Sequence, residues 1–451
     1  MPCSVPRRGR AWLLALGLFL FGCGDGAQRP HIVLVTADAL RADHLSSAGY
    51  PRATSPALDA FAARAWNFRN TVSVIPKTGP SFASLFSGQH PARHGVRSNP
   101  VPVPRELRLL AERLQDVGYR TAAFVSNPVL RPAKGYARGF ETYELSTGAD
   151  ATQQAADAFV QYAASGWREP TFVWVHLLDP HGPYRPTTRF EQLFLEDSTA
   201  RSDERVPLEP PPGRFRDPNK VLHAIPAYQR RGQEDRVAAY VARYDAEIRA
   251  MDEQFGRITQ VLSAQDRFES SVVIFTSDHG EGLGERGFWF EHGWFANDAA
   301  LRVPLFLKTP GQVVGHEIDE QASLLDLLPT LLGLAGSEVP IDLSGRNLLE
   351  PGFAPVPLPI ENSDLYPEKY RGIRTTRWKY LRREHDGAEE LFDLREDPEE
   401  RHDLSRTHPA ELEKFRVLLR ETSVDSRRSG EAVDPESDAI REQLRALGYL
   451  D

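Results

Sequence analysis

Aspartate and histidine side chains follow several apolar runs of this chain, at the places where those runs end. One run leads into Asp38, another into His176 and Asp179-Pro-His181, and a third into Asp278-His279-Gly280-Glu281. Because ligand sites in open α/β sheets gather at the carboxyl ends of the strands, we expect these side chains to converge. A single aspartate after a strand is more often a cap or turn residue than a ligand. Four such places together favour a polar crevice.

The segment Val74-Ile-Pro-Lys-Thr-Gly-Pro-Ser-Phe-Ala-Ser-Leu-Phe-Ser-Gly88 offers an alcohol for nucleophilic chemistry. Pro80 suits the first turn of a helix, so we expect Thr78 at a helix N-terminus, where the helix dipole favours an anion. The local sequence also allows Thr78 to be a simple N-cap. The chain has only two cysteines, Cys3 and Cys23, and both lie in the N-terminal leader. A nucleophile in this segment is therefore an alcohol and not a thiol.

Short apolar runs predict the strands that position these groups. Their apolarity is continuous, which indicates strands covered on both faces, as in a parallel sheet. Apolar residues spaced four and three apart predict a long core-facing helix from Val237 to Leu262. Strand–helix alternation predicts a doubly wound, mostly parallel α/β domain over residues 31–345. The predicted strands are His31–Thr36, Thr121–Val125, Thr171–Val175, Ser271–Thr276 and Val303–Leu307.

The N-terminal residues predict export. Three arginines precede the uncharged run Ala11–Phe21, which is too short to span a bilayer as a helix and fits a signal peptide. Leu20-Phe21-Gly22-Cys23 resembles a bacterial lipobox, so residues 1–23 are predicted to be a signal peptide with Cys23 acylated, and residues 24–30 a spacer. The prediction is an exported, membrane-anchored lipoprotein that faces the periplasm or the cell exterior. Simple secretion with cleavage nearby and an uncleaved anchor are the alternatives.

Composition limits the partners of the chain. The hydrophobic fraction is 41%, the charged fraction 26% and the net charge −9, values typical of a soluble globular protein with no domain-wide basic face. This argues against nucleic acid as a partner. No second apolar stretch approaches the length of a membrane span, so membrane contact is predicted only through the N-terminal lipid anchor.

Residues 31 to about 405 resemble the sulfatase group of the alkaline phosphatase superfamily. The resemblance implies a smaller C-terminal α+β subdomain, which we place at 346–422. The residues themselves predict a polar linker and a terminal helix at 423–451, and the apolar residues of that helix are expected to dock back. The composition of residues 185–236 indicates an insertion on the substrate side. The matching pieces are Leu34–His44, the Thr78 segment, Asp179–Tyr184, Thr276–Glu281, His292-Gly293 with Arg302–Pro304, Arg371–Tyr380 and Glu390–Pro398.

Carried over residue by residue, the resemblance implies that Asp38, Asp278 and His279 bind one divalent metal ion and that Thr78 completes the set. A divalent cation is the usual means of supporting an alkoxide without a strong base, which agrees with Thr78 as the nucleophile. Sulfatases usually place a cysteine at this position and oxidise it to formylglycine. Here no formylglycine can form.

Three further residues match positions that contact the substrate in this group. His181 matches the position that contacts the leaving-group oxygen, and His292 the position that contacts the equatorial oxygens, which implies catalytic roles for both. Asn99 lies 21 residues after Thr78, the separation of a substrate-binding asparagine in relatives that act on phosphodiesters. Ser98-Asn99-Pro100 is also an ordinary turn sequence. The expected substrate is a small anionic ester.

Two departures from the family pattern bear on the chemistry. Phe82 stands where the family has an arginine that supports the formylglycine hydrate, and its presence is coherent with an unmodified alcohol. Ala39 stands where many arylsulfatases have another metal-binding aspartate. Fewer carboxylates and a larger share of imidazole favour Zn²⁺ or Mn²⁺ as the metal, with Ca²⁺ the third possibility.

The sequence therefore predicts a metal-dependent hydrolase that cleaves a phosphodiester, or a phosphonate or phosphate ester, through Thr78. A formylglycine-independent sulfatase is the first alternative. A transferase of phosphoethanolamine or phosphoglycerol groups is the second, and a non-catalytic protein that binds an anionic ligand at the cell surface is the third.

Overall fold

The computed structural model describes residues 29–195, 204–211, 217, 219–422, 430–432 and 437–450. The predicted signal peptide, the lipobox with Cys23, most of the spacer and most of the linker after residue 422 lie outside these residues. The lipoprotein assignment therefore stays a prediction. Within the described part of the chain, no helix has both the length and the apolarity that crossing a bilayer requires.

Seventeen strands and eleven α-helices make up the described fold. The helices are α1 (Pro56–Ala62), α2 (Thr78–Ser87), α3 (Pro91–His94), α4 (Leu110–Asp116), α5 (Ala151–Ala164), α6 (Thr188–Leu195), α7 (Val237–Ala264), α8 (Asp298–Leu301), α9 (Leu327–Leu334), α10 (Pro409–Thr422) and α11 (Asp438–Ala446). The strands are β1 (Ile32–Ala37), β2 (Trp66–Phe68), β3 (Thr71–Val72), β4 (Arg120–Val125), β5 (Thr142–Leu145), β6 (Thr171–Leu177), β7 (Val272–Ser277), β8 (Gly282–Leu283), β9 (Trp289–Glu291), β10 (Arg302–Val303), β11 (Leu305–Lys308), β12 (His316–Ile318), β13 (Ala322–Ser323), β14 (Leu358–Glu361), β15 (Tyr370–Arg374), β16 (Trp378–Arg383) and β17 (Glu389–Asp393).

An eight-stranded sheet forms the centre of the molecule, in the order β12-β2-β11-β7-β1-β6-β4-β5. Strand β1 lies between β6 and β7 and pairs in parallel with both, with Ile32 opposite Phe172 and Val272. Strands β4 and β5 continue the parallel part of the sheet. The predicted doubly wound, mostly parallel α/β fold is thereby confirmed.

The predicted strand Val303–Leu307 differs from the structure in extent and direction. It is divided at Pro304, so that β10 pairs with β3 in a separate small sheet while β11 pairs antiparallel with β7. Proline cannot donate a ladder hydrogen bond, which is why one apolar run belongs to two sheets. The apolar run itself does not indicate whether β11 pairs parallel or antiparallel with its neighbour.

Both faces of the central sheet are covered, as the continuous apolar runs predicted. In β1, Ile32 and Leu34 enter the core beneath α2, α4 and α9, whereas Val33 and Val35 enter the core beneath α5 and α7. Successive side chains of a strand point to opposite faces, so each strand contributes to two apolar cores. Helix α7 covers the second core. It begins at Val237, as predicted, and ends at Ala264, two residues beyond the predicted end.

The smaller C-terminal subdomain is a four-stranded antiparallel sheet, in the order β14-β15-β16-β17, with α10 packed against it. Ile373, Tyr380 and Leu391 from the sheet contact Phe415 of α10 in one apolar cluster. This confirms the predicted α+β subdomain after the main sheet.

A buried ionic network joins the subdomain to the main α/β domain. Asp298, at the start of α8, accepts hydrogen bonds from Arg374 Nη2 at 2.6 Å and from Lys379 Nζ at 2.7 Å. Lys379 also donates to Glu400 at 2.8 Å. Burial by itself raises the pKa of Asp298, but Arg374 and Lys379 outweigh burial and hold that pKa well below its usual range. The network therefore stabilises the fold only while Asp298 is ionised.

We expect Asp298→Asn to lower the free energy of unfolding by about 3–5 kcal/mol, because it leaves the buried Arg374 without a carboxylate and Lys379 with Glu400 alone. Since the folded-state pKa is depressed, the contribution of Asp298 is fully present above about pH 4 and is lost as the pH falls toward the folded pKa. Thermal unfolding of both proteins at neutral and acidic pH measures this. Asp386→Asn is the matched control, because Asp386 pairs with Arg383 at the surface. Equal destabilisation by both substitutions would contradict the prediction.

Candidate active site

The polar groups that follow the central strands meet at one edge of the sheet. Asp38 follows β1 directly, Asp278 and His279 follow β7, and His176 lies near the end of β6. All four side chains are fully buried. These groups lie close together, as the sequence predicted, because the three strands are parallel neighbours that end at the same edge of the sheet.

Three of these side chains and Thr78 form a compact cluster. His279 Nε2 lies 3.8 Å from Asp38 Oδ1 and 3.4 Å from Asp278 Oδ2. The hydroxyl oxygen of Thr78 lies 3.3 Å from the same His279 nitrogen. One carboxylate or imidazole atom from each of Asp38, Asp278 and His279 lies within 4.8 Å of the others, a spacing at which one ion contacts all three.

In both Asp38 and Asp278, hydrogen bonds hold one carboxylate oxygen in place, and the other oxygen points into the cluster. Asn127 Nδ2 donates to Asp38 Oδ2 at 2.6 Å. The backbone amides of Ala39 and His279 donate to Asp278 Oδ1 at 3.1 and 2.8 Å. Asp38 Oδ1 and Asp278 Oδ2 are buried and have no hydrogen-bond partner among the described residues. Two such oxygens in one cluster are the donors that a cation needs.

The electrostatics of the cluster fit a divalent cation. Burial and the nearby Asp38 carboxylate raise the pKa of Asp278 well above its usual range, because two buried carboxylates so close together repel each other. Burial lowers the pKa of His279 to about 3, so its imidazole is neutral. Its Nδ1 lies 2.8 Å from the Gly280 carbonyl oxygen and donates to it, so its Nε2 carries a lone pair that faces the carboxylates and the Thr78 hydroxyl. A cation held there would supply positive charge beside the Thr78 hydroxyl.

Ala39 adopts a conformation that serves this cluster. Its φ is 58°, in the left-handed region that alanine seldom occupies. This conformation turns the Ala39 amide toward Asp278 Oδ1. Ala39 thus contributes a backbone donor to the cluster, at the position where the resemblance led us to look for a carboxylate.

Thr78 is the first residue of α2, with Lys77 at the N-cap position. Thr78 is therefore not the N-cap of α2, which was the alternative that the local sequence allowed. Its side chain is fully buried, and its hydroxyl faces His279 and not its own helix. A helix N-terminus attracts negative charge, so an oxyanion at Thr78 is favoured by its backbone position.

Phe82, one turn along α2, packs into the aromatic core. Its ring centroid lies 5.0 Å from those of Trp174 and His176, the latter in an edge-on contact. The position where the family has its arginine is therefore apolar and away from water. Phe82 also holds His176 in place beside Asp38, to whose Oδ2 His176 Nε2 lies at 3.3 Å.

Asn99 lies against the start of α2. Its Oδ1 accepts a hydrogen bond from the Gly79 amide at 2.9 Å, while its Nδ2 is buried and has no partner in the described part of the chain. Gly79 permits this approach, because a Cβ there would lie 3.1 Å from Asn99 Oδ1 and 3.0 Å from the Tyr136 hydroxyl. Asn99 is thus more than a turn residue, and its free amide group is a donor for an anion.

His181 and His292 lie beside the cluster, as predicted. The ring centroids of His279 and His292 are 4.1 Å apart, and those of His181 and His292 are 5.0 Å apart. His292 Nδ1 lies 3.1 Å from Glu281 Oε1, and its Nε2 is buried without a partner among the described residues. An imidazole nitrogen and the Asn99 amide therefore both face the crevice with unused hydrogen-bonding capacity.

Tyr366 of the C-terminal subdomain supports His292 from behind. Its hydroxyl contacts a Glu291 carboxylate oxygen and lies 2.6 Å from the carbonyl oxygen of His292. Gly293 has a φ of 106°, and a Cβ there would lie 2.6 Å from the Tyr366 ring. The close packing of this turn on Tyr366 therefore requires glycine.

Comparison with known proteins now decides the family. A family profile described as Sulfatase matches residues 30–337. The chain belongs to the sulfatase family. This confirms the resemblance, and with it the prediction of an ester hydrolase of the alkaline phosphatase superfamily.

Relatives and solved structures cover most of this sulfatase-family chain. It is 28% identical over 411 residues to the ulvan-active sulfatase of Formosa agariphila, a match that covers 84% of this chain and 78% of that one. It is 26% identical over 429 residues to the choline-sulfatase of Rhizobium meliloti, with 82% and 81% covered. The phosphonate monoester hydrolase of Agrobacterium radiobacter has the same fold, with a TM-score of 0.71, 22% identity, and 88% and 96% of the two chains covered.

Three residues that contact the crevice of this sulfatase-family chain were missed by the sequence analysis. Lys77, next to Thr78, is buried with its Nζ 3.3 Å from both Glu291 Oε1 and the His292 carbonyl oxygen. Asn127 follows β4, so the rule that polar groups after strands converge could have found it. Tyr449, near the C-terminus, has no local signal of this kind.

A cavity of about 550 Å³ opens beside His181. Burial raises the pKa of Asp179 in its wall to about 7, and burial with the nearby Asp179 raises that of Glu247 well above its usual range. Near neutrality Asp179 is therefore about half protonated and Glu247 is largely protonated, so these acids present hydroxyl donors as well as acceptors. Arg185, Arg189, Gln443 and Leu447 also line this cavity.

Proposed function

We propose that this sulfatase-family protein hydrolyses a phosphodiester or a phosphonate monoester through Thr78. The observation that carries the proposal is the Thr78 hydroxyl itself, buried at the start of α2 and 3.3 Å from His279 Nε2 inside a cluster suited to a divalent cation. The chain has no cysteine after residue 23 to replace it. Asp38, Asp278 and His279 are the residues that would hold the cation.

The reaction proposed for Thr78 has two displacement steps. In the first, the Thr78 oxygen forms a bond to phosphorus while the bond from phosphorus to the leaving-group oxygen breaks. One proton is released from the threonine hydroxyl and one is taken up by the leaving-group oxygen. In the second, water forms a bond to phosphorus and the bond to Thr78 breaks, which restores the hydroxyl. Thr78 thus divides one difficult displacement into two.

The surrounding side chains supply orientation and charge. Asn99 Nδ2 and His292 Nε2 are two buried nitrogens of the crevice that have no protein partner in the described residues. Both fit the non-reacting oxygens of a bound anion when the His292 proton is on Nε2. The Lys77 ammonium adds positive charge behind them. His181 Nδ1 donates to the Gly182 carbonyl oxygen at 2.6 Å, so its Nε2 faces the crevice and can pass a proton to or from the leaving oxygen.

The cavity beside His181 suits the leaving group. Its volume of about 550 Å³ is in the range of sites for small organic molecules. Its carboxyl and guanidinium groups suit an alcohol that carries further hydroxyl or anionic groups.

Phosphorus is favoured over sulfur by the fate of the covalent intermediate. A formylglycine hydrate can expel sulfate by collapsing to the aldehyde, whereas a sulfated threonine has no such route. A phosphorylated threonine can be opened by water at phosphorus. The second candidate, a formylglycine-independent sulfatase, is favoured by the family and by the two sulfatases named above.

Turnover of matched aryl esters separates the two candidates. We expect kcat/KM for an aryl phosphodiester or an aryl phosphonate to exceed that for the aryl sulfate with the same leaving group by at least about 100-fold, because the phosphorylated intermediate is opened by water and the sulfated one is not. The protein is assayed after loading with Zn²⁺ or Mn²⁺, and Thr78→Ala purified in parallel measures background. If sulfate were the faster substrate by orders of magnitude, the assignment to phosphorus would be wrong.

A further inference from the structure

The C-terminal segment, residues 437–450, reaches into the catalytic crevice. The Tyr449 hydroxyl lies 2.7 Å from His181 Nε2 and 3.3 Å from the Thr78 hydroxyl oxygen. It also accepts a hydrogen bond from Asn127 Nδ2 at 3.0 Å. The residue is separated from Thr78 by 371 positions in the sequence, yet it contacts the nucleophile directly.

Local structure directs Tyr449 inward. Helix α11 begins after Ser437, whose hydroxyl caps the Ile440 amide, and it ends in a left-handed Gly448 with φ 76°. The Gly448 amide donates to the Arg445 carbonyl at 2.9 Å and the Tyr449 amide to that of Leu444 at 2.8 Å, the paired bonds of a Schellman motif. Gly448 also packs against Tyr228, where a Cβ would lie 2.6 Å from the ring. Hydrogen bonds and packing therefore define the conformation of this turn, and they direct Tyr449 into the crevice.

Packing holds the segment on the catalytic domain. Leu444 and Tyr449 form an apolar cluster with Val129, and Ile440, Leu447 and Leu450 pack around it. The Tyr449 ring lies against the His181 imidazole, with centroids 5.1 Å apart, and Lys77 Nζ lies 5.5 Å from the ring centroid. Both the ring and the hydroxyl of Tyr449 thus have partners in the crevice.

This position is incompatible with a bound substrate. Reacting atoms in a near-attack geometry are about 3–3.5 Å apart. The Tyr449 oxygen lies at that distance from the Thr78 oxygen, so it stands where the reacting atom of the ester has to be. It also contacts His181 Nε2, the nitrogen that faces the leaving oxygen. An ester and the Tyr449 hydroxyl cannot occupy the crevice together.

We infer that the C-terminal segment is a tethered ligand of the catalytic crevice, which a substrate must displace before Thr78 can react. The inference rests on the proposed role of Thr78. Because the segment competes only with the free enzyme, it raises the apparent KM by the inverse of the open fraction and leaves kcat unchanged at saturation.

Tyr449→Phe in the full-length protein tests the inference, since it removes the hydroxyl that contacts Thr78 and His181 and keeps the ring. We expect KM for the ester substrate to fall roughly 3- to 30-fold with kcat unchanged, the effect of losing one or two net hydrogen bonds from the closed state. Leu444→Ala, which weakens the docking of α11, should lower KM in the same direction. Tyr119→Phe is the matched control, because its hydroxyl bonds to the Pro30 carbonyl oxygen far from the crevice.

A binding measurement separates this inference from the proposed reaction. Inorganic phosphate titrated into the metal-loaded protein in a calorimeter should bind Tyr449→Phe more tightly than the wild type, whether or not either protein turns over an ester. Phosphate should also speed amide hydrogen exchange in residues 437–450 of the wild type. Equal affinity, no binding to either protein, or a fall in kcat with KM unchanged would overturn the inference, the last because it would make Tyr449 a participant in the chemistry.

Discussion

Thr78→Ala is expected to lower kcat/KM for the preferred ester by roughly four to six orders of magnitude, the loss seen when a nucleophile is removed from a preorganised site. The substitution removes the one hydroxyl that lies beside His279 Nε2 at the start of α2. It leaves the carboxylates and imidazoles in place, so the protein should still fold and still bind its metal. Steady-state kinetics with both proteins measured side by side give the ratio.

Thr78→Ser is the matched control, because it keeps the hydroxyl and should retain most of the activity. A substrate with radiolabelled phosphorus adds a direct test: acid quenching during turnover should leave the label on the peptide that contains Thr78 in the wild type and on no peptide in Thr78→Ala. Activity of Thr78→Ala within a factor of about ten of the wild type, or label on another residue, would show that Thr78 is not the nucleophile.

Loss of a metal ligand is the second large effect. Asp38→Asn, Asp278→Asn and His279→Ala should each weaken metal binding by more than about 100-fold, since changes outside the ligand set already cost roughly 10- to 100-fold. Turnover should disappear with the metal, and chelation of the wild type should reproduce that loss. Elemental analysis of the purified proteins should give one equivalent in the wild type and almost none in the variants.

Asp116→Asn serves as the control for this series, because Asp116 pairs with Arg108 at the surface. Re-addition of Zn²⁺ or Mn²⁺ to the chelated wild type should restore activity, and comparison with Ca²⁺ tests the predicted preference. Two equivalents of metal per chain would contradict the one-metal prediction and would make His181 and His292 candidate ligands. Unchanged metal content in the three variants would contradict the proposed cluster.

The sequence predicted the central sheet because its strands are buried on both faces. The run of β6 is buried at every position and apolar from Phe172 to Val175, so the strand can be predicted without knowledge of its neighbours. The direction of β11 could not be predicted in this way, since an apolar run has the same composition whichever way it pairs. Pro304 was the local signal that the run is divided, and it was available in the sequence.

The polar site was predictable where its residues follow strands and unpredictable where they come from distant loops. Asp38 and His279 stand at strand ends, and parallel strands bring such ends together. Asn127 obeys the same rule, and its omission was a failure to apply it. Tyr449 obeys no local rule, because its position depends on where an amphipathic helix docks after a linker, and helical periodicity does not specify a docking surface.

The contact between Tyr366 and the His292 carbonyl limits how the C-terminal subdomain can be exchanged between related proteins. The turn that carries a crevice imidazole rests on a side chain from the small antiparallel subdomain, 74 positions later in the chain. Recombination between relatives at the junction of the two parts would combine the turn that carries His292 from one protein with the residue that contacts it, at position 366, from another. The two parts are therefore expected to function only as a matched pair, because the smaller one supports the crevice directly.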